Sequence, residues 1–322
     1  MKEVFASRRG FLFDVLRYHL GWVDQRGRLE NTSRRLHFPP TLALASCEAL
    51  SGDFHTALPA ASAIELVYNF TVVHADVQVG SPDPQERPSI WWVWGPAQAI
   101  NAGDGLHALG RITVMRLSQQ GVPPPRVLQG VAALDQACLT LCEGQYMDLN
   151  FQDQLMVTSA DFYEMLRRKA GALPGCAAQL GALAASADDA VCSRFHELGS
   201  RLGMAWQIAQ DIADLWGQGG DGMTVSNVLN KKKSLPLIHV LETASPSTKR
   251  ELGTIYMKRV LEPQDVSRIV DLLEQAGARQ YAEGKAQELV QQGIGVLAEM
   301  DLAPQGVELF QQVAEMVLGG HP

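Results

Sequence analysis

The sequence is poor in the features that mark secreted, membrane-spanning or nucleic-acid-binding proteins. Its 27 Lys and Arg residues are outnumbered by 35 Asp and Glu residues, so no excess of basic charge favours a nucleic acid or an anionic membrane as a partner. No apolar run approaches the roughly 18 residues that span a bilayer. The N-terminus lacks the basic-then-apolar order of a signal peptide. We therefore expect a cytoplasmic protein with no membrane span.

Cysteine is scarce and odd in number, which argues against a disulfide framework. The five cysteines stand mostly in apolar text, and Cys138 and Cys142 share a helix face without a second pair at zinc spacing. We interpret both as buried thiols and assign no chemistry to them.

The β-branched alternation that signals a sheet is also absent, while apolar residues recur at helical spacing through most of the chain. Short Gly- and Pro-rich breaks, which we interpret as loops, fall at 80–84, 121–125 and 217–222. The periodicity predicts one helix over about 59–79 and a second over about 191–216. With 46% hydrophobic residues, the chain has ample material for a large core. We predict an all-α protein in which residues 1–322 form one domain.

Both predicted helices carry text that resembles a single enzyme family. The first ends in Ala75–Val79 (ADVQV) and leads, past a proline loop, to the tryptophan-rich stretch 90–95; the second contains Gln210–Asp214 (QDIAD). The stretches Cys142–Leu149 and Lys232–Pro236 match as well. In order and separation these segments resemble the trans-isoprenyl diphosphate synthases over nearly the whole chain. The resemblance implies the isoprenoid synthase fold, a helical bundle around a deep apolar cavity, in a homodimer.

The aspartate-rich motifs depart from the family. The resemblance implies two DDxxD motifs at the cavity mouth, whose carboxylates at i and i+4 share a helical face and bind Mg²⁺. Ala75 and Val79 occupy those two positions of the first motif, and the remaining Asp76 points about 100° away from them. Gln210 replaces the leading carboxylate of the second motif, and Asn227 stands where a further aspartate is expected. We therefore predict no metal site and no cofactor, Mg²⁺ included.

The basic residues that bind diphosphate in the family are also replaced, while Lys169 is retained. The substituted positions are Leu36, His37, Pro39, Pro84, Gln85 and Met223. Because carboxylates and cations serve opposite charges, their joint loss means that neither Mg²⁺ nor diphosphate need be bound there. Phe70 stays family-like, five residues before the first motif, where the family uses an aromatic residue to limit chain length. We expect a prenyl chain as the bound small molecule.

Three carboxylic acids are candidates for catalysis. A carboxyl group whose pKa is raised by burial can protonate an alkene and start a cation cascade without metal. The candidate acids are Asp76, Asp211 and Asp214; the alternative is that they are solvated or salt-bridged remnants. Candidate substrate-binding residues are Phe70, Gln145, Lys169, Gln207, Gln210 and Trp92. For Gln145 and Gln207 the alternative is a hydrogen bond that only satisfies a buried amide.

Two functions fit these features. One is a divergent enzyme of isoprenoid or terpenoid biosynthesis, which binds a prenyl chain and catalyses cyclisation or prenyl transfer without the standard metal cluster, rather than standard chain elongation. The other is a non-catalytic partner that forms a heterodimer with an active prenyl diphosphate synthase. A retained cavity without a metal site fits both functions, so the sequence does not separate them.

Overall fold

The computed structural model describes residues 1–30, 38–80, 87–154, 156–217, 226–300 and 302–319. Within these ranges the chain forms sixteen α-helices and no β-strand, only an isolated antiparallel bridge between Val23 and Leu29. The all-α prediction is confirmed.

The first eight helices are α1 (Lys2–Phe5), α2 (Phe11–His19), α3 (Phe38–Ser51), α4 (Leu58–Val79), α5 (Ile90–Trp94), α6 (Pro96–Val114), α7 (Pro124–Gln152) and α8 (Ser159–Leu166). The other eight are α9 (Ala172–Ala184), α10 (Asp189–Trp216), α11 (Ser226–Leu229), α12 (Leu235–Thr243), α13 (Pro246–Tyr256), α14 (Pro263–Gln275), α15 (Ala278–Leu297) and α16 (Pro304–Leu318). Short 3₁₀ turns cover His55–Ala57 and Met115–Gln120, and a π-helical turn, Arg167–Gly171, joins α8 to α9.

The two helices predicted from apolar periodicity are present as α4 and α10, with ends within two residues of the prediction. α4 has Pro59 in its first turn. An N–H group in the first turn has no partner within the helix, so proline, which lacks an N–H group, costs no hydrogen bond there. It ends at Gly80, whose φ of 69° is left-handed and whose N–H donates to the Asp76 carbonyl at 3.0 Å. Glycine adopts this conformation without a Cβ clash, which explains why the helix stops there.

The segment His55–Val79 is long and apolar enough to cross a membrane by length and composition alone, which the sequence analysis did not recognise. Of its most apolar 18-residue window, 56% is buried inside the protein. Ile64, Leu66 and Val67 are fully buried, so packing in a core accounts for the same composition. The absence of a membrane span stays a prediction.

The chain divides into two compact units that interleave along the sequence. Unit 1 comprises Met1–Asp135 and Ala177–Cys192, and unit 2 comprises Gln136–Cys176 and the chain from Ser193 onward. Unit 1 has its most extensive helix contact between α4 and α6. That contact is close because position 110 is glycine: a Cβ there would lie 2.7 Å from the Val67 side chain.

Unit 2 has two apolar clusters. One, around Phe162, Ile208 and Ile238, packs α8, α10 and α12 together; the other, around Leu252 and Ile269, joins α13 and α14. The first cluster includes Met204 and Ile208 of α10, the helix that also carries Asp211 and Asp214. That the whole chain forms one domain stays a prediction.

One side of α7 leaves apolar residues exposed. Leu139 and Tyr146 are 57% and 73% exposed, and Cys142 is exposed too. At 100° per residue these three residues, here called the α7 stripe, lie within about 60° of one another. The prediction that Cys142 is a buried thiol is therefore wrong, whereas Cys138 is buried as expected.

Candidate active site

α10 places Asp211 of the second motif in the interior of unit 2. The residue is only 9% exposed, and Gln207 Nε2, one turn earlier, donates to Asp211 Oδ1 at 2.9 Å. Residues four apart lie on one helix face, so the spacing itself provides this bond. Burial raises the pKa of Asp211 to about 6, against the opposing effects of Gln207 and of the charges on Lys232 and Lys169. Asp211 can therefore hold or release a proton close to neutral pH.

Asp214 lies three residues further along α10 and is half-buried. The Asn227 backbone N–H donates to Asp214 Oδ2 at 3.3 Å. Burial raises the pKa of Asp214 to about 6, while the contact with Asn227 and the charge of Lys232 act against it. Asn227, the position where a further aspartate was expected, thus contacts this acid through its main chain.

Lys169 lies in the π-helical turn, and its Nζ donates to Asp148 Oδ2 at 2.5 Å. Asp148 comes from α7 and is 3% exposed, so this is an ion pair with one deeply buried partner. Gly144, one turn before Asp148, explains how α7 approaches the π-helical turn: a Cβ at 144 would lie 2.3 Å from the Lys169 backbone nitrogen. The glycine therefore permits the contact that brings Lys169 to Asp148.

Lys232 is the second lysine near Asp148, Asp211 and Asp214. Its burial and the charge of Lys169 lower the pKa of Lys232, and Asp148, Asp211 and Asp214 oppose that effect. A cavity of about 30 Å³ among these side chains has room for one water molecule. We call the following set the acid–lysine cluster: Asp148, Lys169, Gln207, Asp211, Asp214 and Lys232.

The chemistry of the acid–lysine cluster follows from its charges. Two ammonium groups partly offset three carboxyl groups, and two of those carboxyl groups titrate near neutrality. Asp211, which lines the cavity, can give a proton to a water molecule there or accept one from it. Across the described ranges, no three His, Cys, Asp or Glu side chains come together in a group that could hold a metal ion.

Three of the predicted site residues belong to unit 1. The Phe70 ring makes an edge contact with His74, with centroids 4.8 Å apart, and a tilted contact with His107 at 5.3 Å. Asp76 is half-buried in the last turn of α4. Trp92 is 59% exposed and contacts Trp91 edge-on. The catalytic role of Asp76 and the substrate-binding roles of Phe70 and Trp92 stay predictions.

The remaining predicted residues divide between the cluster and its surroundings. Lys169, Gln207, Asp211 and Asp214 come together in unit 2, whereas Gln145 and Gln210 are half-buried on α7 and α10 and their roles stay predictions. Pro39 is buried in the first turn of α3. The other positions at which the resemblance predicted the loss of basic diphosphate-binding residues lie outside the described residues: Leu36, His37, Pro84, Gln85 and Met223.

The sequence analysis did not assign Asp148 or Lys232 to the site, although both lie in stretches that it had matched to the family. Asp148 follows Gly144 by four residues. A glycine inside a helix with an acidic residue one turn later was the sequence signal that could have identified Asp148 as a site residue. Lys232 stands in a run of three lysines, and the sequence alone cannot tell that Lys233 is buried while Lys231 and Lys232 are half-buried.

Comparison with known proteins finds similarity over most of the chain. Residues 37–273 match the sequence model of the family described as polyprenyl synthetase. The chain is 34% identical over 316 residues to geranylgeranyl diphosphate synthase of Mycobacterium tuberculosis, covering 97% of this chain and 87% of that protein. It is 28% identical over 309 residues to (2E,6E)-farnesyl diphosphate synthase of Mycobacterium bovis, covering 94% and 85%.

Solved structures also resemble this chain. A polyprenyl synthetase from Streptomyces coelicolor A3(2) superposes with a TM-score of 0.89 at 28% identity, covering 98% of this chain and 95% of that one. A geranylgeranyl pyrophosphate synthetase from Pyrococcus horikoshii Ot3 superposes with a TM-score of 0.84 at 26% identity, covering 98% and 94%. The similarity thus extends over nearly the whole chain.

Proposed function

The chain belongs to the polyprenyl synthetase family, the trans-isoprenyl diphosphate synthases, and from that premise we propose that it is a divergent isoprenoid enzyme that works without the magnesium–diphosphate cluster. The predicted family and the isoprenoid synthase fold are confirmed. The relatives are named geranylgeranyl and farnesyl diphosphate synthases, whereas the activity proposed for this chain is not chain elongation.

The acid–lysine cluster carries the proposal. Of the second motif, only Asp211 and Asp214 retain carboxyl groups, and burial favours the protonated form of both. The ammonium groups of Lys169 and Lys232 already supply positive charge beside Asp211, and this charge opposes the binding of metal cations there. This donor set does not fit a cluster of magnesium ions. Lysines take the charge-balancing role that a metal would have.

We assign the role of general acid to Asp211. Its O–H bond breaks as a C–H bond forms at one carbon of a prenyl double bond, and the neighbouring carbon becomes a tertiary cation. The cation closes onto a second double bond and then loses a proton, which returns to the Asp211 carboxylate and regenerates the acid. Lys169 and Lys232 stabilise the Asp211 carboxylate that remains, and Gln207 donates to its Oδ1. Cyclisation is favoured over prenyl transfer because it needs a proton donor and no diphosphate leaving group.

Product analysis of the purified protein tests the proposal. The substrates are geranyl, farnesyl and geranylgeranyl diphosphate, alone and with isopentenyl diphosphate, together with diphosphate-free prenylated compounds, each with Mg²⁺ and with EDTA. We expect cyclised products that survive EDTA and disappear in Asp211→Asn. Asp271→Asn, at an exposed position of α14, is the matched control and should retain activity. Mg²⁺-dependent chain elongation that EDTA abolishes would overturn the proposal.

A second function, a non-catalytic partner of an active prenyl diphosphate synthase, is supported by the α7 stripe. Contiguous exposed apolar side chains on a helix face mark an interaction surface. Pairing through it with a second copy gives the expected homodimer, and pairing with an active synthase gives the heterodimer.

Co-expression with an active geranylgeranyl diphosphate synthase tests the second function, with light scattering after size exclusion as the measurement. Leu139→Glu and Tyr146→Glu place charge in the α7 stripe, and Gln136→Glu, at an exposed polar position of the same helix, is the matched control. A chain that is inactive alone, copurifies with the synthase and changes its product length supports the partner function. A chain that stays apart from the synthase contradicts it.

A further inference from the structure

Unit 2 contains a pocket of about 310 Å³ between the end of α7, the segment Lys231–Lys233, α12 and α13. Leu237, Leu241 and Leu252 give it an apolar floor, and all three are buried. Lys233 stands on its wall and also lines the small cavity of the acid–lysine cluster. The pocket therefore combines an apolar surface with one buried cation.

Lys233 is only 5% exposed, and its charge is poorly compensated. Its Nζ donates to the carbonyl oxygens of Gln152 at 3.4 Å and Lys231 at 3.3 Å, both long for hydrogen bonds, and lies 5.4 Å from the centre of the Tyr256 ring. An ammonium group has three N–H donors, so these bonds leave one.

Within the part of the chain that the structure describes, Lys233 forms no ion pair with a carboxylate. A buried cation is normally paired with an anion, and two neutral carbonyl groups replace that partner incompletely. Burial accordingly lowers the pKa of Lys233 to about 8, with Lys231 adding to the effect and Asp153 and Asp148 opposing it. An anionic group entering the pocket would supply the missing partner.

We propose that this pocket binds a small amphipathic monocarboxylate, with its head group on Lys233 and its chain over the leucine floor. At about 30 Å³ for each water-sized group, the volume holds roughly ten non-hydrogen atoms, which corresponds to a saturated acid of about eight carbons. Lys231 and Lys233 face one acid, Asp153, in the lining, and this balance suits a single negative charge better than a diphosphate. The proposal does not depend on the proposed catalysis, although Lys233 lines both cavities.

Octanoate is the probe, and isothermal titration calorimetry with the whole protein is the measurement. We expect octanoate to bind at millimolar concentrations or below, and octan-1-ol and octylamine, which have the same chain without the carboxylate, to bind much more weakly. Lys233→Met keeps the length of the side chain and removes its charge. Loss of one charged hydrogen bond should weaken octanoate binding by about ten- to a hundredfold.

A pocket-filling variant keeps the test decisive if Lys233→Met fails to fold. Gly253 of α13 lines the pocket, and a Cβ there meets nothing within 4 Å, so Gly253→Leu occupies the pocket and leaves Lys233 in place. Gly284 of α15 is equally open and does not line the pocket, which makes Gly284→Leu the matched control. Both changes raise helix propensity.

We expect Gly253→Leu to abolish octanoate binding and Gly284→Leu to bind like the unchanged protein. The proposal is overturned if octanoate does not bind at millimolar concentrations, if octan-1-ol binds as tightly as octanoate, or if Gly253→Leu leaves octanoate binding unchanged.

Discussion

Replacing Asp211 by asparagine should stabilise the folded protein at neutral pH while removing its proposed activity. Asparagine keeps an oxygen that can accept the hydrogen bond from Gln207 Nε2, and it carries no ionisable proton. In the unchanged protein, by contrast, Asp211 must be ionised above its pKa although it is buried. Ionisation in a buried site opposes folding, so the change removes an unfavourable contribution.

The size of the effect follows from the pKa of Asp211 in the two states, 3.8 when unfolded and about 6 when folded. Because the folded state holds the proton more tightly, the free energy of unfolding decreases as the pH rises from below 3.8 through 6. The decrease is complete at pH values well above 6. A pKa difference of about two corresponds to about 3 kcal/mol at pH 8, roughly half of which is lost between pH 5 and pH 8. Asp211→Asn should show none of this decrease.

Urea denaturation followed by circular dichroism, at pH values from 5 to 8, measures the difference. We expect Asp211→Asn to exceed the unchanged protein by about 3 kcal/mol at pH 8 and by about half as much at pH 5. Asp271→Asn should give a difference close to zero throughout. If the gap does not widen with pH, or if Asp211→Asn is the less stable protein at pH 8, the raised pKa is refuted and with it the basis for the acid role. A variant that gains stability and loses activity is the expected signature of a functional site.

Gly144→Ala should destabilise the protein by about 1 to 3 kcal/mol, because the new Cβ meets the Lys169 backbone, whereas Gly284→Ala in open space should stabilise it by up to about 1 kcal/mol. Equal urea midpoints for these two variants would contradict the close contact. Lys169→Met should lower the free energy of unfolding by about 3 kcal/mol or more, since it leaves the Asp148 charge buried without its partner. Adding Asp148→Leu should restore much of that loss in a double-mutant cycle, and simple additivity would show that the pair is not coupled. Lys231→Gly should raise stability by up to about 1 kcal/mol, because Lys231 has a left-handed φ of 55°, and a lower melting temperature would count against this.

Part of the site could be predicted from the sequence because it depends on residues that are neighbours on one helix. The pair Gln207 and Asp211 follows from i,i+4 spacing, and it can be seen directly in the sequence that Ala75, Val79 and Gln210 carry no carboxylate. The contact between Lys169 and Asp148 could not be predicted, since it joins segments 21 residues apart and depends on a π-helical turn and on Gly144.

Exposure was the other quantity that the helical pattern left undetermined. Cys138 and Cys142 stand in the same apolar text of α7, yet one is buried and the other lies on the exposed α7 stripe. Periodicity shows that a helix has apolar residues on a face, but not which face a neighbouring helix covers. The same reasoning applies to Lys231 and Lys233, of which only Lys233 is buried.

The sequence by itself determined the all-α class, the bounds of α4 and α10, and membership of the polyprenyl synthetase family, because helical periodicity, glycine and proline signals and family motifs are local. Only the tertiary structure decided that Asp211 is buried, that lysines from two other segments lie beside it, and that Lys233 lines a pocket. A pKa depends on desolvation and on the charges nearby, and both are set by segments that are distant in the chain.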